Sequence, residues 1–292
     1  MMLLVDHGVV RVRLEDYLLR VFPRLSKMYI RDVIRAGECE VNGRVENIGY
    51  RLRTNDVIEI ALDPDRETAM SPDPIPLDFV FEDEDIIVVN KSAGMLTHPS
   101  HRENRGTLLN ALVHHLNWRT GNEAKQNGDE CREMLRPGLP HRLDKATSGL
   151  IVAAKNARAH RIVSGQFMQK RVEKRYLALV EGIVEQDDGV ISAPIGRFPE
   201  LKLWGVKDDG KPAETRFWVR ERRDGKTLLE LEPITGRTNQ LRIHCEHLGH
   251  PIVGDVARGG GEYVRLCLHA FRLGLRHPTT GENLSFVREI EF

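Results

Sequence analysis

The 292-residue sequence predicts an α+β protein in two unequal parts. Three observations lead there. A short acidic segment with four prolines, Asp63 to Pro76, interrupts the chain and holds little that could pack. The part before it reads as two amphipathic helices and a hairpin. The part after it alternates strands and helices without the clean period of a parallel βαβ fold. These readings put a small N-terminal domain at 1–62, an acidic Pro-rich linker at 63–78 and a large domain at 79–292.

In the small part, Leu14, Leu18, Leu19 and Phe22 recur at helical spacing, and Pro23 ends that helix. Ser26 is placed to cap a second helix, Lys27 to Ala36, which Gly37 stops. Met28, Ile30, Val33 and Ile34 are its apolar residues. Lys27, Arg31 and Arg35 fall at i, i+4 and i+8 and share one face. Most such stripes are solvated faces, and the other use is an RNA grip. Asn42-Gly43 between two short runs signals a hairpin turn. Asp56 to Ile60 alternates as a closing strand.

In the large part, Ile86 to Lys91 is a strand that enters the turn Ser92-Ala93-Gly94. Thr107 to Leu116 carries leucines at 108, 109, 112 and 116 and reads as a helix with a buried stripe. Residues 119–136 are polar and read as a loop insertion. Pro137-Gly138-Leu139-Pro140 is a turn, and Leu150 to Ala154 a buried strand. Asn156 to Arg171 is a helix, Tyr176 to Val180 a strand, and Asn239 to Leu248 a helix ended by Gly249.

Composition excludes several classes. Apolar runs fall far short of the ~20 residues of a membrane span. The N-terminus lacks a signal-peptide layout. Cys39, Cys131, Cys245 and Cys267 are widely spaced, which suits reduced thiols in a cytoplasmic protein. Neither GxGxxG nor GxxxxGKT occurs, so no nucleotide cofactor is expected. Net charge is zero, but unevenly spread. Residues 61–85 carry −8, whereas 1–60 carry +1 and 86–292 carry +7. This partition permits an RNA partner without demanding one.

The most informative string is His141-Arg142-Leu143-Asp144-Lys145-Ala146-Thr147-Ser148-Gly149-Leu150. It sets one carboxylate beside an arginine at a strand entrance, in a stretch too polar for core. It resembles the first motif of the RluA-type pseudouridine synthases, HRLDxxTSG, whose aspartate is catalytic. Two further strings resemble later motifs of that family. Lys174-Arg175-Tyr176 leads into a strand. Thr235-Gly236-Arg237-Thr238-Asn239-Gln240-Leu241-Arg242-Ile243-His244 is followed by Gly249-His250-Pro251-Ile252-Val253-Gly254-Asp255. The resemblance spans roughly residues 79–292. Departures are Asn239, where the family usually has His, and Ala146, often acidic there.

The resemblance implies a mixed, largely antiparallel sheet flanked by helices, and an isomerase that turns uridine into pseudouridine. It assigns Asp144 as the catalytic carboxylate, Arg242 as its partner and Tyr176 as a ring that stacks on a flipped base. Leu241 packs near that base, and Arg142 takes part in holding the RNA open. An arginine beside a partly desolvated carboxylate favours its charged form and fixes its direction. No cofactor is implied.

The string Arg-x-Gly-Glu-Cys-x-Val-Asn-Gly after the basic helix resembles the S-four-type RNA-binding domain first seen in a small-subunit ribosomal protein. That implies Lys27, Arg31 and Arg35 as phosphate contacts, and makes large-subunit ribosomal RNA the expected substrate, with transfer RNA the alternative. A non-catalytic RNA-binding or ribosome-assembly factor would dispense with Asp144 or Arg242, and both are present. His244-Cys245-Glu246-His247 also offers a metal reading, but no second cluster has structural-zinc spacing. No metal is expected.

Overall fold

The computed structural model describes the chain except for residues 7–10, 23–24, 26, 65–70, 101–102, 128–136 and 202, and describes 118–127 by backbone alone. Two compact units are present. One comprises Met1–Pro74, Pro99–Arg105 and Leu112–Leu135, and the other Ile75–His98, Gly106–Ala111 and Arg136–Phe292.

In the first unit, strands β1 (Met2–Leu4), β2 (Cys39–Val41), β3 (Arg44–Val45) and β4 (Val57–Ile60) form an antiparallel sheet ordered β1-β4-β2-β3. Helices α1 (Leu14–Val21) and α2 (Lys27–Arg35) supply Leu14, Leu18, Ile30 and Ile34 to one core with Ile58. Asn42 and Gly43 both take positive φ, 53° and 74°, as a two-residue hairpin turn requires. The expected stop at Pro23 and cap at Ser26 lie outside the described residues.

The cations of α2 are less free than their spacing suggests. Glu15 on α1 is only 5% exposed. Arg31 Nε approaches its carboxylate at 2.6 Å and Lys27 Nζ at 2.5 Å. The Arg31 guanidinium, aided by Lys27, holds the Glu15 pKa below its usual range. Arg35 stands 4.0 Å from Asp32. The face is a partly neutralised cluster rather than three unpaired cations.

The second unit is built on a nine-stranded sheet. Its strands are β5 (Asp78–Glu82), β6 (Ile86–Lys91), β7 (Ser148–Ala154), β8 (Glu173–Glu181), β9 (Asp188–Ser192), β12 (Glu214–Arg223), β13 (Lys226–Pro233), β14 (Leu268–Arg276) and β15 (Asn283–Val287). The order is β5-β6-β7-β14-β8-β13-β12-β9, with β15 also on β14. Among the described residues only β7 and β14 pair in parallel, so the sheet is mixed and largely antiparallel, as expected. A separate hairpin joins β10 (Ile195–Phe198) and β11 (Leu203–Val206).

β6 from Ile86 to Val89 and β7 from Leu150 to Ala154 are continuously apolar and buried, which suits strands covered on both faces. Helix α4 (Ala157–Met168) lays Ala159 and Val163 against Ile86, Val88, Leu150 and Val152. Asn156 caps it, accepting from Ala159 N–H at 2.8 Å. Helix α5 (Gln240–His247) adds Leu241 and Cys245 to the cluster of Ala178, Val180, Leu229, Leu231 and Leu268.

One expectation is corrected. Helix α3 runs Leu108–Asn127, so 119–127 is not loop; 128–136 lies outside the described residues. The apolar stripe ends near Leu116, but Glu123, Ala124, Lys125 and Gln126 are good helix formers. Extending an existing helix needs no new nucleus. Among the described residues no helix is long and apolar enough to cross a membrane.

The parallel seam is tight. Ser148 faces His269 and Gly149 faces Ala270. Gly149 has φ 121°, and a Cβ there would lie 2.4 Å from the Ala270 carbonyl oxygen and 2.5 Å from its nitrogen. Gly149→Ala is expected to cost at least about 3 kcal/mol or to abolish folding. Urea denaturation checks this, and a loss under about 1 kcal/mol would mean that the seam yields easily.

His269, 1% exposed, spans the same seam. Its Nε2 faces the Arg288 carbonyl at 2.9 Å, so Nδ1 is the acceptor for the Ser148 hydroxyl at 2.8 Å. Burial pushes its pKa down to about 4, against about 6.5 when unfolded. Between those values the unfolded chain binds a proton that the native chain does not. Stability is therefore expected to fall as pH drops from about 6.5 to about 4, with this ring contributing of the order of 2 kcal/mol. The slope of folding free energy against pH in that window should be shallower for His269→Gln than for wild type.

Candidate active site

The three motifs, far apart in sequence, line one cavity of about 410 Å³. His141 to Asp144 and Thr147 come from the turn into β7. Lys174 and Tyr176 come from β8, and Pro233 to Arg242 from the end of β13 and the start of α5. Phe167, Met168, Lys170 and Leu268 complete the lining. The cavity thus brings together Asp144, Tyr176, Arg242, Arg142 and Leu241. Lys27, Arg31 and Arg35 are not among its lining residues.

The loop that carries Asp144 is pinned from below. The Thr97 hydroxyl donates to the Leu143 carbonyl at 2.7 Å and accepts from Leu143 N–H at 3.3 Å. Thr147 N–H donates to the Asp144 carbonyl at 3.1 Å, closing the turn. Gly94 N–H donates to the Lys145 carbonyl at 2.8 Å. Lys91, 1% exposed, sits beneath. Its ammonium donates to the carbonyls of Ser92 and Met95, both at 2.8 Å, and of Lys145 at 3.4 Å. Burial pulls its pKa down to about 8, while the Asp144 charge acts upward. Sequence reading gave Lys91 no role beyond ending a strand. The available signal was a lysine closing an otherwise apolar run before a Ser-Ala-Gly turn.

Tyr176 is partly buried. Burial first, and the Asp144 charge second, raise its phenol pKa, so the hydroxyl stays neutral and can donate or accept. His141 Nε2 accepts from Val152 N–H at 3.0 Å, and its ring stacks on Phe167 with centroids 4.4 Å apart. Burial, then Lys174, pulls its pKa down to about 3. Near neutral pH it is an uncharged wall of the cavity. Arg142 is exposed.

Arg242 departs from expectation. Its Nε and Nη2 donate to the two Asp255 oxygens at 2.6 and 2.7 Å, and Nη1 donates to Asn239 Oδ1 at 3.3 Å. Among the described residues no ion pair within 4.0 Å joins it to Asp144. Its pKa is raised mainly by the hydrogen bond to Asp255, with Asp144 a lesser contributor. The direct partner is therefore Asp255, which is 3% exposed; Asp144 acts at longer range. The two-pronged match of guanidinium and carboxylate favours this pairing.

Gln240 was also missed. It is 4% exposed and fully bonded. Its amide donates to Glu214 O and Thr215 Oγ1 at 2.9 and 3.0 Å, and its oxygen accepts from Arg237 N–H and Thr235 Oγ1 at 3.0 and 2.7 Å. It fixes the 235–237 turn on the cavity rim. In the metal candidate, both ring nitrogens of His244 are engaged, with Thr215 Oγ1 at 2.9 Å and the Ala193 carbonyl at 3.1 Å. Among the described residues no cluster of His, Cys, Asp or Glu could hold a metal ion.

Both the sequence and the fold that carry this pocket are similar to those of known proteins. Residues 85–247 fit the sequence profile of the RNA pseudouridylate synthase family. An uncharacterized RNA pseudouridine synthase of Aquifex aeolicus (strain VF5) is 38% identical over 96% of this chain and 90% of its own length. Ribosomal large subunit pseudouridine synthase D of Neisseria meningitidis serogroup A is 35% identical over 94% of this chain and 74% of its own. The solved structure of human RNA pseudouridylate synthase domain containing 1 superposes with a TM-score of 0.58 at 27% identity, covering 77% of this chain and 86% of that one. The chain belongs to the RNA pseudouridylate synthase family, isomerases that act on RNA.

The Arg242–Asp255 pair predicts a coupled loss. Asp255→Ala would strand a partly buried guanidinium and is expected to cost about 3 kcal/mol. The double variant Arg242→Met/Asp255→Ala should cost less than the sum of the singles by at least about 1 kcal/mol. Additive losses in denaturant unfolding would mean that the two side chains do not depend on each other.

Proposed function

We propose that the cavity accepts a uridine flipped out of large-subunit ribosomal RNA, and that Asp144 is the catalytic carboxylate of its conversion to pseudouridine. One observation carries the assignment. Asp144 is the sole acidic side chain among the lining residues described, beside five cations, Arg142, Lys170, Lys174, Arg237 and Arg242. Any step that needs a carboxylate falls to it, and an RNA substrate brings the anions that the cations suit.

In the reaction the bond from uracil N1 to ribose C1′ breaks and one from C5 to C1′ forms. The C5 proton leaves, and N1 gains one. A carboxylate here serves as nucleophile at the sugar, as nucleophile at the base, or as acceptor of a sugar proton. Tyr176 stacks on the turning uracil and offers a neutral hydroxyl, while Leu241 packs beside it. Arg242, held by Asp255, acts on Asp144 through its field. Arg142 lies at the exposed side, where the strand must be kept open.

The ribosomal target is supported by the name of the Neisseria relative. Transfer RNA is the alternative substrate. We read residues 1–62 as an S-four-type RNA-binding domain, 63–78 as linker and 79–292 as the catalytic domain; the helix–hairpin order supports the first.

Asp144→Asn keeps shape but loses charge. With transcribed large-subunit ribosomal RNA labelled with tritium at uridine C5, it is expected to release tritium at least about 1,000-fold more slowly than wild type. Filter binding should change less than about threefold. Turnover within about tenfold of wild type would remove Asp144 from the chemistry. Release from transfer RNA transcripts alone would move the substrate to the alternative.

A further inference from the structure

A second cavity, of about 390 Å³, adjoins the first, and the two share Gly236, Arg237 and Thr238. Its other walls come from the β10–β11 hairpin and the turn 207–211. Arg197, Lys207, Lys211 and Arg237 line it, with Asp209 as the lone carboxylate. Asp209 is taken by Lys207, whose Nζ lies 2.9 Å away. Among the described residues no carboxylate pairs with Arg197, Lys211 or Arg237.

The cavity is built by backbone, not by chance side-chain placement. Ile195 and Lys211 exchange two backbone hydrogen bonds of 2.9 Å, and Gly210 N–H closes the turn on the Lys207 carbonyl at 2.8 Å. A Cβ on Gly210 would come within 2.6 Å of the Ile195 carbonyl carbon and 2.7 Å of the Lys207 oxygen. Only glycine lets the turn lie this close to β10. Arg237 is oriented by its Nε donating to the Pro212 carbonyl at 3.1 Å. Its rim position is held by Gln240, which accepts from its backbone N–H.

We infer that this cavity grips a phosphodiester of the substrate strand next to the flipped nucleotide. The inference rests on reading the first cavity as the uridine pocket. A strand whose base enters that pocket passes the shared 236–238 rim, and its neighbouring backbone meets the second cavity. Guanidinium and ammonium groups match phosphate oxygens. The hydrocarbon wall from Ile195 and Trp204 is engaged in a small core with Ala213 and Ile243. That leaves Arg197, Lys211 and Arg237 as the groups facing a ligand, and cations of this kind suit the phosphate backbone.

The test uses the full chain and transcribed large-subunit ribosomal RNA. Arg197→Gln/Lys211→Gln is expected to raise KM about tenfold, with the loss on KM rather than kcat. It should flatten the plot of log affinity against log salt by about 1.4 to 1.8. Arg197→Lys/Lys211→Arg keeps both charges and should restore KM. Arg158→Gln/Arg161→Gln on α4 removes the same charge elsewhere and should change neither quantity. An unchanged KM and slope in the first variant would overturn the site. So would equal losses in the α4 variant, which would leave only net charge, or a failure of the charge-preserving variant to rescue. If wild type forms no pseudouridine in any RNA offered, the uridine reading fails first, and that outcome is distinct from the others.

Discussion

The parallel contact between β7 and β14 is the constraint on which the pocket depends. β7 begins where the turn bearing Asp144 ends, and β14 pairs on its other side with β8, which bears Tyr176. β8 then pairs with β13, whose end leads into the turn and helix that bear Arg242. The three motifs reach one cavity because these four strands are neighbours. Gly149 lets the first pair close, and the bond between Ser148 and His269 crosses the same joint. The Thr-Ser-Gly tail of the first motif is thus a packing requirement as much as a chemical one.

Among the described residues, charges are buried where a partner waits. The Lys91 ammonium has three carbonyls, Asp255 has the two-pronged Arg242, and Glu15 has Arg31 and Lys27. Taking an ion out of water costs several kcal/mol unless such bonds offset it. Each therefore marks a place where the fold must hold its shape: the floor of the Asp144 loop, the start of α5, and the seam between α1 and α2. The neutral groups follow the same logic. His141 and Tyr176 are kept uncharged by burial, which leaves them suited to contact an uncharged base rather than a phosphate.

Much of this was legible in sequence where the signal is local. The apolar runs 86–91 and 150–154 became the buried strands β6 and β7, Asn42-Gly43 made its hairpin, and Asn156 capped α4. The motif strings pointed to the residues that line the pocket. What escaped depends on distant partners. Arg242 was matched to Asp144, yet an in-range carboxylate thirteen residues on, Asp255, offered the better geometry. The stripe on α2 gave no hint of Glu15, since that carboxylate lies on another helix. β12 carries Arg216, Arg220, Arg222 and Arg223 and does not read as a strand. Cross-strand partners sustain it, Glu230 and Glu232 on β13 and Asp187 before β9. α3 outran its apolar stripe because propensity, not burial, carried its later turns.

The same distinction resolves the puzzle of a charge-neutral chain that acts on RNA. Totals are a poor guide because the carboxylates are unevenly spread along the chain. Residues 61–85 alone hold nine acidic groups against one arginine. On β13 Glu230 and Glu232 pair with Arg175 of β8 and with Arg220 and Arg216 of β12. The two adjoining cavities are left with a single acidic residue each, Asp144 in one and Asp209 in the other. Asp209 is bound to Lys207, whereas no cation forms an ion pair with Asp144 among the described residues. A polyanion is attracted by the local field within a Debye length, about 8 Å at physiological salt, and not by the sum over the molecule. An isolated carboxylate inside such a field is costly to place near a phosphate chain, so its position has to be enforced by structure. The Thr97 hydroxyl, the Lys91 ammonium and the Gly94 N–H supply that enforcement, each through backbone groups of the Asp144 loop or of the turn beneath it.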